Sequence, residues 1–232
     1  MKINYVWNKV NYGKFLTYLK SIADNDTKKF NERIVNTKYE ILGIKIPVLK
    51  MIAKDISKTD YFKFLELSTS KYYEEVMIEG FLLSYIKDEN VFLDYLNKFI
   101  YKIDSWAICD SCISSYKIFK KGDFSSYASF LVLDSREFFV RVGYIILLDY
   151  YIDDDHIDNI LSLCLKESSY YYVNMAVSWL ISVCFIKYRE KVLDLLKSKK
   201  LSVFVQNKTI SKIRDSYRVS REDKEIVKSL TI

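Results

Sequence analysis

Trp106 and Asp110 lie four residues apart, which is one turn of a helix, and Arg141 and Trp179 take related positions in two later segments. Two indoles, a carboxylate and a guanidinium on one surface can bind a cationic aromatic base and stabilise charge on the sugar beside it. Indole faces attract cations by about 0.5–2 kcal/mol each, depending on desolvation. A carboxylate can stabilise an oxocarbenium-like sugar and admit water, as it does in glycoside hydrolysis. That is chemistry on damaged nucleic acid. Each residue alone has a plainer role: a packing Trp, a solvated or capping Asp, an Arg in an ion pair between repeats. Their coincidence on one helical face singles them out.

That coincidence depends on repeats. From residue 72 onward, apolar residues recur with helical spacing in paired segments: 72–86 with 89–100, 105–118 with 123–133, 136–150 with 155–165, 170–186 with 188–198, and 202–215 with 220–230. The first segment of each pair begins about 31 to 34 residues after the last, a period that reads as stacked helical hairpins. Polar breaks separate them, as at Lys120-Lys121-Gly122-Asp123 and Asp153-Asp154-Asp155. Asp104 or Ser105 is placed to cap the helix of Trp106, and Asp134 or Ser135 the helix of Arg141. Trp106 and Asp110 fall at offsets 1 and 5 from the start of their segment, Arg141 at offset 5 in the next, and Trp179 at offset 9 in the one after. Lys208 and Lys212 continue the row in the last pair, and stacking sets these positions side by side.

The first 70 residues are also helical in pattern but less regular, with helices expected near 3–23, 27–36, 46–56 and 60–67. Pro47 suits the first turn of its helix, where no donor is needed. No composition shift marks a boundary, so residues 1–232 read as one domain, irregular over 1–70 and regular over about 72–230. The expected fold is all-α, an α-solenoid of helical-hairpin repeats.

Composition agrees. The chain has one Pro and five Gly, too few for the turns of a β-rich protein of 232 residues. A net charge of +6 permits an anionic partner without requiring one. The most apolar stretch, Met175–Ile186, is too short to span a bilayer. No secretory signal is visible, so a cytoplasmic monomer with reduced thiols is expected. Cys109-x-x-Cys112 would need two more ligands to hold zinc, and His156 is the only histidine. The four cysteines read as small packing residues, with no metal or cofactor. No P-loop, GxGxxG segment or catalytic triad is present, which disfavours nucleotide-driven and serine-hydrolase chemistry.

At these residues the chain resembles the DNA alkylation repair glycosylases of the AlkD-like family. The resemblance lies in Leu42-Gly43-Ile44-Lys45-Ile46-Pro47, Trp106-x-x-x-Asp110, Phe139-Val140-Arg141, Met175-Ala176-Val177-Ser178-Trp179 and Ile213-Arg214-Asp215-Ser216-Tyr217-Arg218, an ordered set covering roughly residues 30–218. It implies an α-solenoid of HEAT-like helical-hairpin repeats with a concave DNA-binding face, and hydrolysis of the N-glycosidic bond of N3- or N7-alkylated purines in duplex DNA. It makes Asp110 the catalytic carboxylate, with Trp106 and Trp179 on the lesion nucleotide and Arg141 on the backbone beside it. Lys45, Lys208, Lys212 and Arg214 would grip phosphates. The basic residues that such proteins often carry around the second Trp are replaced here by Asn174, Met175 and Ser182. Two other classes compete: a non-catalytic solenoid that binds distorted or branched DNA, and a protein-interaction scaffold.

Overall fold

The structure is a computed structural model, and it describes residues 6–232. The first residues of the helix expected over 3–23 lie outside that range. The described residues form fourteen α-helices and a 3-10 turn, with one isolated bridge between Glu40 and Tyr72 as the only extended pairing. Their contacts gather into two compact units that meet at Ile118 and Phe119. No described helix is long and apolar enough to cross a membrane.

The first unit holds α1 (Lys9–Ser21), α2 (Asn25–Ile34), α3 (Ile46–Ile56), α4 (Tyr61–Leu67), α5 (Tyr73–Leu83), α6 (Glu89–Ile100) and α7 (Trp106–Ile113). Here α5 packs between α3 and α7, and all eleven of its residues are buried. A helix apolar around most of its girth must be covered on every side. Gly80 permits that: a β-carbon there would lie 2.4 Å from the Cys112 sulfur and 2.5 Å from the Phe99 ring. Trp7, Phe15 and Phe64 pack as an edge-to-face cluster, and the Trp7 indole donates to Thr59 Oγ1 at 2.7 Å. Trp7 is therefore a core residue, 4% exposed.

The second unit holds α8 (Ser125–Val132), α9 (Glu137–Tyr150), α10 (Ile157–Leu163), α11 (Tyr171–Lys187), α12 (Arg189–Ser198), α13 (Val203–Asp215) and α14 (Arg221–Lys228). The first helices of successive hairpins, α9, α11 and α13, stack side by side, and α12 and α14 back α11 and α13. This is the α-solenoid packing that the repeat period implies, all-α throughout. Asp153 ends one hairpin loop by accepting from the backbone N–H groups of Asp155 and His156 and from the His156 ring.

Two caps differ in outcome. Ser105 caps α7, accepting from the Ile108 N–H. The cap expected from Asp134 or Ser135 does not form: α9 starts at Glu137 behind Arg136, with no side-chain cap. Asp134 instead takes the Arg136 backbone N–H at 2.8 Å and its guanidinium at 2.6 Å. A side chain bonded two residues ahead, before the helix begins, is not available to the first helical turn.

Candidate functional site

In the first unit, the loop after α2 is held by carboxylates of the buried helix. Gly43 adopts φ +98°, the left-handed region where a β-carbon is costly. Space forbids one as well, since it would lie 2.4 Å from the Asp24 carbonyl oxygen. Glu74, fully buried, accepts from the N–H groups of Leu42, Gly43 and Ile44 at 2.9, 2.8 and 3.2 Å. Glu75 accepts from Tyr12, Thr69 and the backbone of Lys71 and Tyr72; Glu79 accepts from Ser68, Ser70 and Lys102. The consequence is a fixed position for Lys45, the exposed residue that precedes α3.

The same loop reaches α7. Asp104 accepts from Thr37 Oγ1 and the Lys38 N–H, and Tyr39 donates its hydroxyl to the Lys102 carbonyl at 2.8 Å. The Trp106 indole N–H donates to the Ile34 carbonyl at 3.1 Å. Trp106 is thus pinned by its polar edge while its ring stays partly exposed, unlike Trp7. Asp110, one turn later, is also partly exposed, and its backbone carbonyl accepts from Ser114. The structure brings Trp106 and Asp110 to one stretch of one helix and anchors that helix to the Ile34–Tyr39 segment.

In the second unit, Glu137 and Arg141 are one turn apart on α9 and hold the two backbone groups of one residue of α11. Glu137 accepts the Tyr172 N–H at 3.1 Å, and Arg141 donates to the Tyr172 carbonyl. Arg141 is 4% exposed. Trp179 lies mid-helix on α11 and is partly exposed. The Ser178 hydroxyl beside it donates to the Asn174 carbonyl at 2.8 Å, and Val205 of α13 offers its carbonyl at 3.4 Å. Two polar residues near Trp179 are committed internally: Asn174 donates to the Ser168 carbonyl and Ser182 to the Trp179 carbonyl.

Lys208 and Lys212, four residues apart, share one face of α13. Burial lowers the Lys212 pKa from its ordinary value, and the positive charges of Lys208 and Arg141 lower it further, with Asp215 opposing. Those three cations therefore share a locale. Arg214 is exposed and, two residues on from Lys212, faces away from that row.

The four cysteines are buried, and burial raises the pKa of Cys112, Cys164 and Cys184, the last to about 12, so those three thiols stay protonated. Sequence reasoning passed over Glu74, Glu75, Glu79 and Glu137. A signal existed for the first three, because acids within an otherwise unbroken apolar helix must be bonded if that helix is covered on all sides.

No curated protein matches the chain. A family model described as DNA alkylation repair enzyme matches residues 15–213, which takes in the loop at Gly43, the Trp106 and Asp110 helix, and the cation row of α13. By this match the chain belongs to the DNA alkylation repair enzyme family.

Proposed function

We propose that the protein is a monofunctional DNA glycosylase acting on N3- and N7-alkylated purines in duplex DNA. Membership of the family supports a role in DNA alkylation repair. The observation that carries the finer reading is Asp110, partly exposed, one turn beyond an indole fixed through its N–H. An alkylated purine already carries positive charge, so it departs without a general acid. Asp110 stabilises positive charge on the sugar as the glycosidic bond breaks, the bonding electron pair neutralises the leaving purine, and water adds to the anomeric carbon and loses a proton. Helix α7 contains no lysine, so this reading has no Schiff-base step. Trp106 and Trp179 would contact the lesion nucleotide through their ring faces. Arg141, Lys45, Lys208, Lys212 and Arg214 would hold phosphates.

The test is release of 7-methylguanine from methylated duplex DNA by wild type and Asp110→Asn. Excision by wild type, with a loss of about 100-fold or more in the variant, is expected for removal of a preorganised charge-stabilising group. Full activity in Asp110→Asn would sink the mechanism. A second reading, a non-catalytic protein that binds distorted or branched DNA, is favoured by the internal commitment of Asn174 and Ser182 beside Trp179. It predicts salt-sensitive binding to junction DNA with no base release.

A further inference from the structure

The first turns of α9, α11 and α13 carry aromatic residues whose rings form one chain. Phe138 meets Tyr172 with centroids 5.8 Å apart, Tyr172 meets Tyr171 at 5.4 Å, and Tyr171 meets Phe204 at 5.9 Å. The last two members are open to solvent: Tyr171 is 56% exposed and Phe204 42%. Exposed apolar residues scattered singly need no explanation, but rings joined into a row do.

The row runs into positive charge. Phe204, Lys208 and Lys212 follow at four-residue spacing on one face of α13, each about 6 Å along the axis from the last. At the other side, the Tyr172 carbonyl is held by Arg141. Arg141 in turn lies near enough to Lys212 to disfavour its charged form. Exposed aromatic rings beside grouped cations suit a partner that alternates flat π-systems with anions.

We infer that this row is a stacking platform for a single-stranded nucleic-acid segment, with Tyr171 and Phe204 taking unpaired bases and Lys208 and Lys212 the phosphates between them. Paired bases in a duplex present only their edges in the grooves, so a duplex offers these rings no face to stack on. An uncharged apolar peptide would leave the lysines unused. A second copy of this basic face would bring like charges together. Single strands are bound by this pairing of stacked aromatics with a basic track, without reading sequence. Stacking on these rings requires no cleavage by Asp110, so the Asp110→Asn protein serves the test as well as wild type.

The experiment is fluorescence anisotropy with labelled oligothymidylate of about 12 nucleotides, a matched abasic oligomer, and an undamaged duplex. Tyr171→Ala and Phe204→Ala are each expected to weaken oligothymidylate binding about fivefold or more, and the pair more strongly. Binding to the abasic oligomer and the duplex should change less than about twofold, because phosphate contacts carry those affinities. Tyr171→Trp and Phe204→Trp, which keep a ring face, should retain binding. No binding of oligothymidylate by wild type would overturn the idea. So would equal loss for oligothymidylate and abasic oligomer, or wild-type binding by the double alanine variant.

Discussion

The two units set their charged side chains in opposite environments. In the first, α5 buries three glutamates, and donors from loops meet each of them: three backbone N–H groups on Glu74, hydroxyls and N–H groups on Glu75, hydroxyls and an ammonium on Glu79. In the second, Arg141, Lys208 and Lys212 gather closely enough that two of them disfavour the charge of the third. Buried carboxylates answered by local donors fix a backbone, whereas like charges held together raise a potential that an outside anion can lower. The first unit therefore uses ionic groups to shape a loop and seat Trp106. The second groups three cations, Arg141, Lys208 and Lys212, in one locale.

The largest effect that would break this contrast comes from Glu74. In Glu74→Ala the N–H groups of Leu42, Gly43 and Ile44 lose their acceptor, at about 1–3 kcal/mol for each donor left unbonded in a buried place. A loss of about 3 kcal/mol or more is expected in urea denaturation. A cost below about 1 kcal/mol would mean that the carboxylate does not hold the loop. Arg141→Met should cost less, about 1–3 kcal/mol, because one carbonyl of Tyr172 loses a charged donor. It should also raise the Lys212 pKa toward its ordinary value, since a positive neighbour is gone; NMR titration of the ammonium reads this directly. An unchanged Lys212 pKa would separate Arg141 from the cation group.

Lys208→Met with Lys212→Met sharpens the contrast from the other side. Stability should fall by less than about 1 kcal/mol, because two like charges are removed and the apolar stems are kept. The dependence of duplex DNA affinity on salt should weaken by about one unit of slope per lysine. Affinity lost uniformly at all salt concentrations would instead point to a distorted α13.

Much of this architecture is legible in the sequence, because helical period and polar breaks are local signals. The segment 46–56 is read with both ends in place, and 170–186 is displaced by one residue from α11. Trp106, Asp110, Arg141, Lys208 and Lys212 fall on the expected helices because four-residue spacing translates directly into a shared face. The supports of the site are harder to read. Glu74 binds N–H groups some thirty residues away, and backbone donors leave no mark in side-chain pattern. The same holds for Arg141, whose acceptor is the Tyr172 carbonyl. Asp134 matches a cap by residue type, yet Arg136 offers it both a backbone N–H and a guanidinium.

That last pair supplies the smallest expected effect and a control for the cations of the second unit. Arg136 lies near the start of the helix that carries Arg141, but its guanidinium is answered by Asp134. The hydrogen bond from Arg136 is the main reason that the Asp134 carboxyl titrates at about 2 rather than 3.8. A folded-state pKa below the unfolded one adds stability above the unfolded value, and that stability fades as pH falls from about 4 through about 2. Because Asp134 lies near the surface, solvent screening limits the contribution to under about 1 kcal/mol. Asp134→Asn should therefore lower the urea midpoint slightly at neutral pH, and its difference from wild type should vanish as the carboxyl of wild type is protonated. In duplex binding, Asp134→Asn frees the charge of Arg136 and should steepen the salt dependence only if Arg136 then reaches a phosphate. An unchanged slope would leave the phosphate contacts with Lys208 and Lys212 of α13.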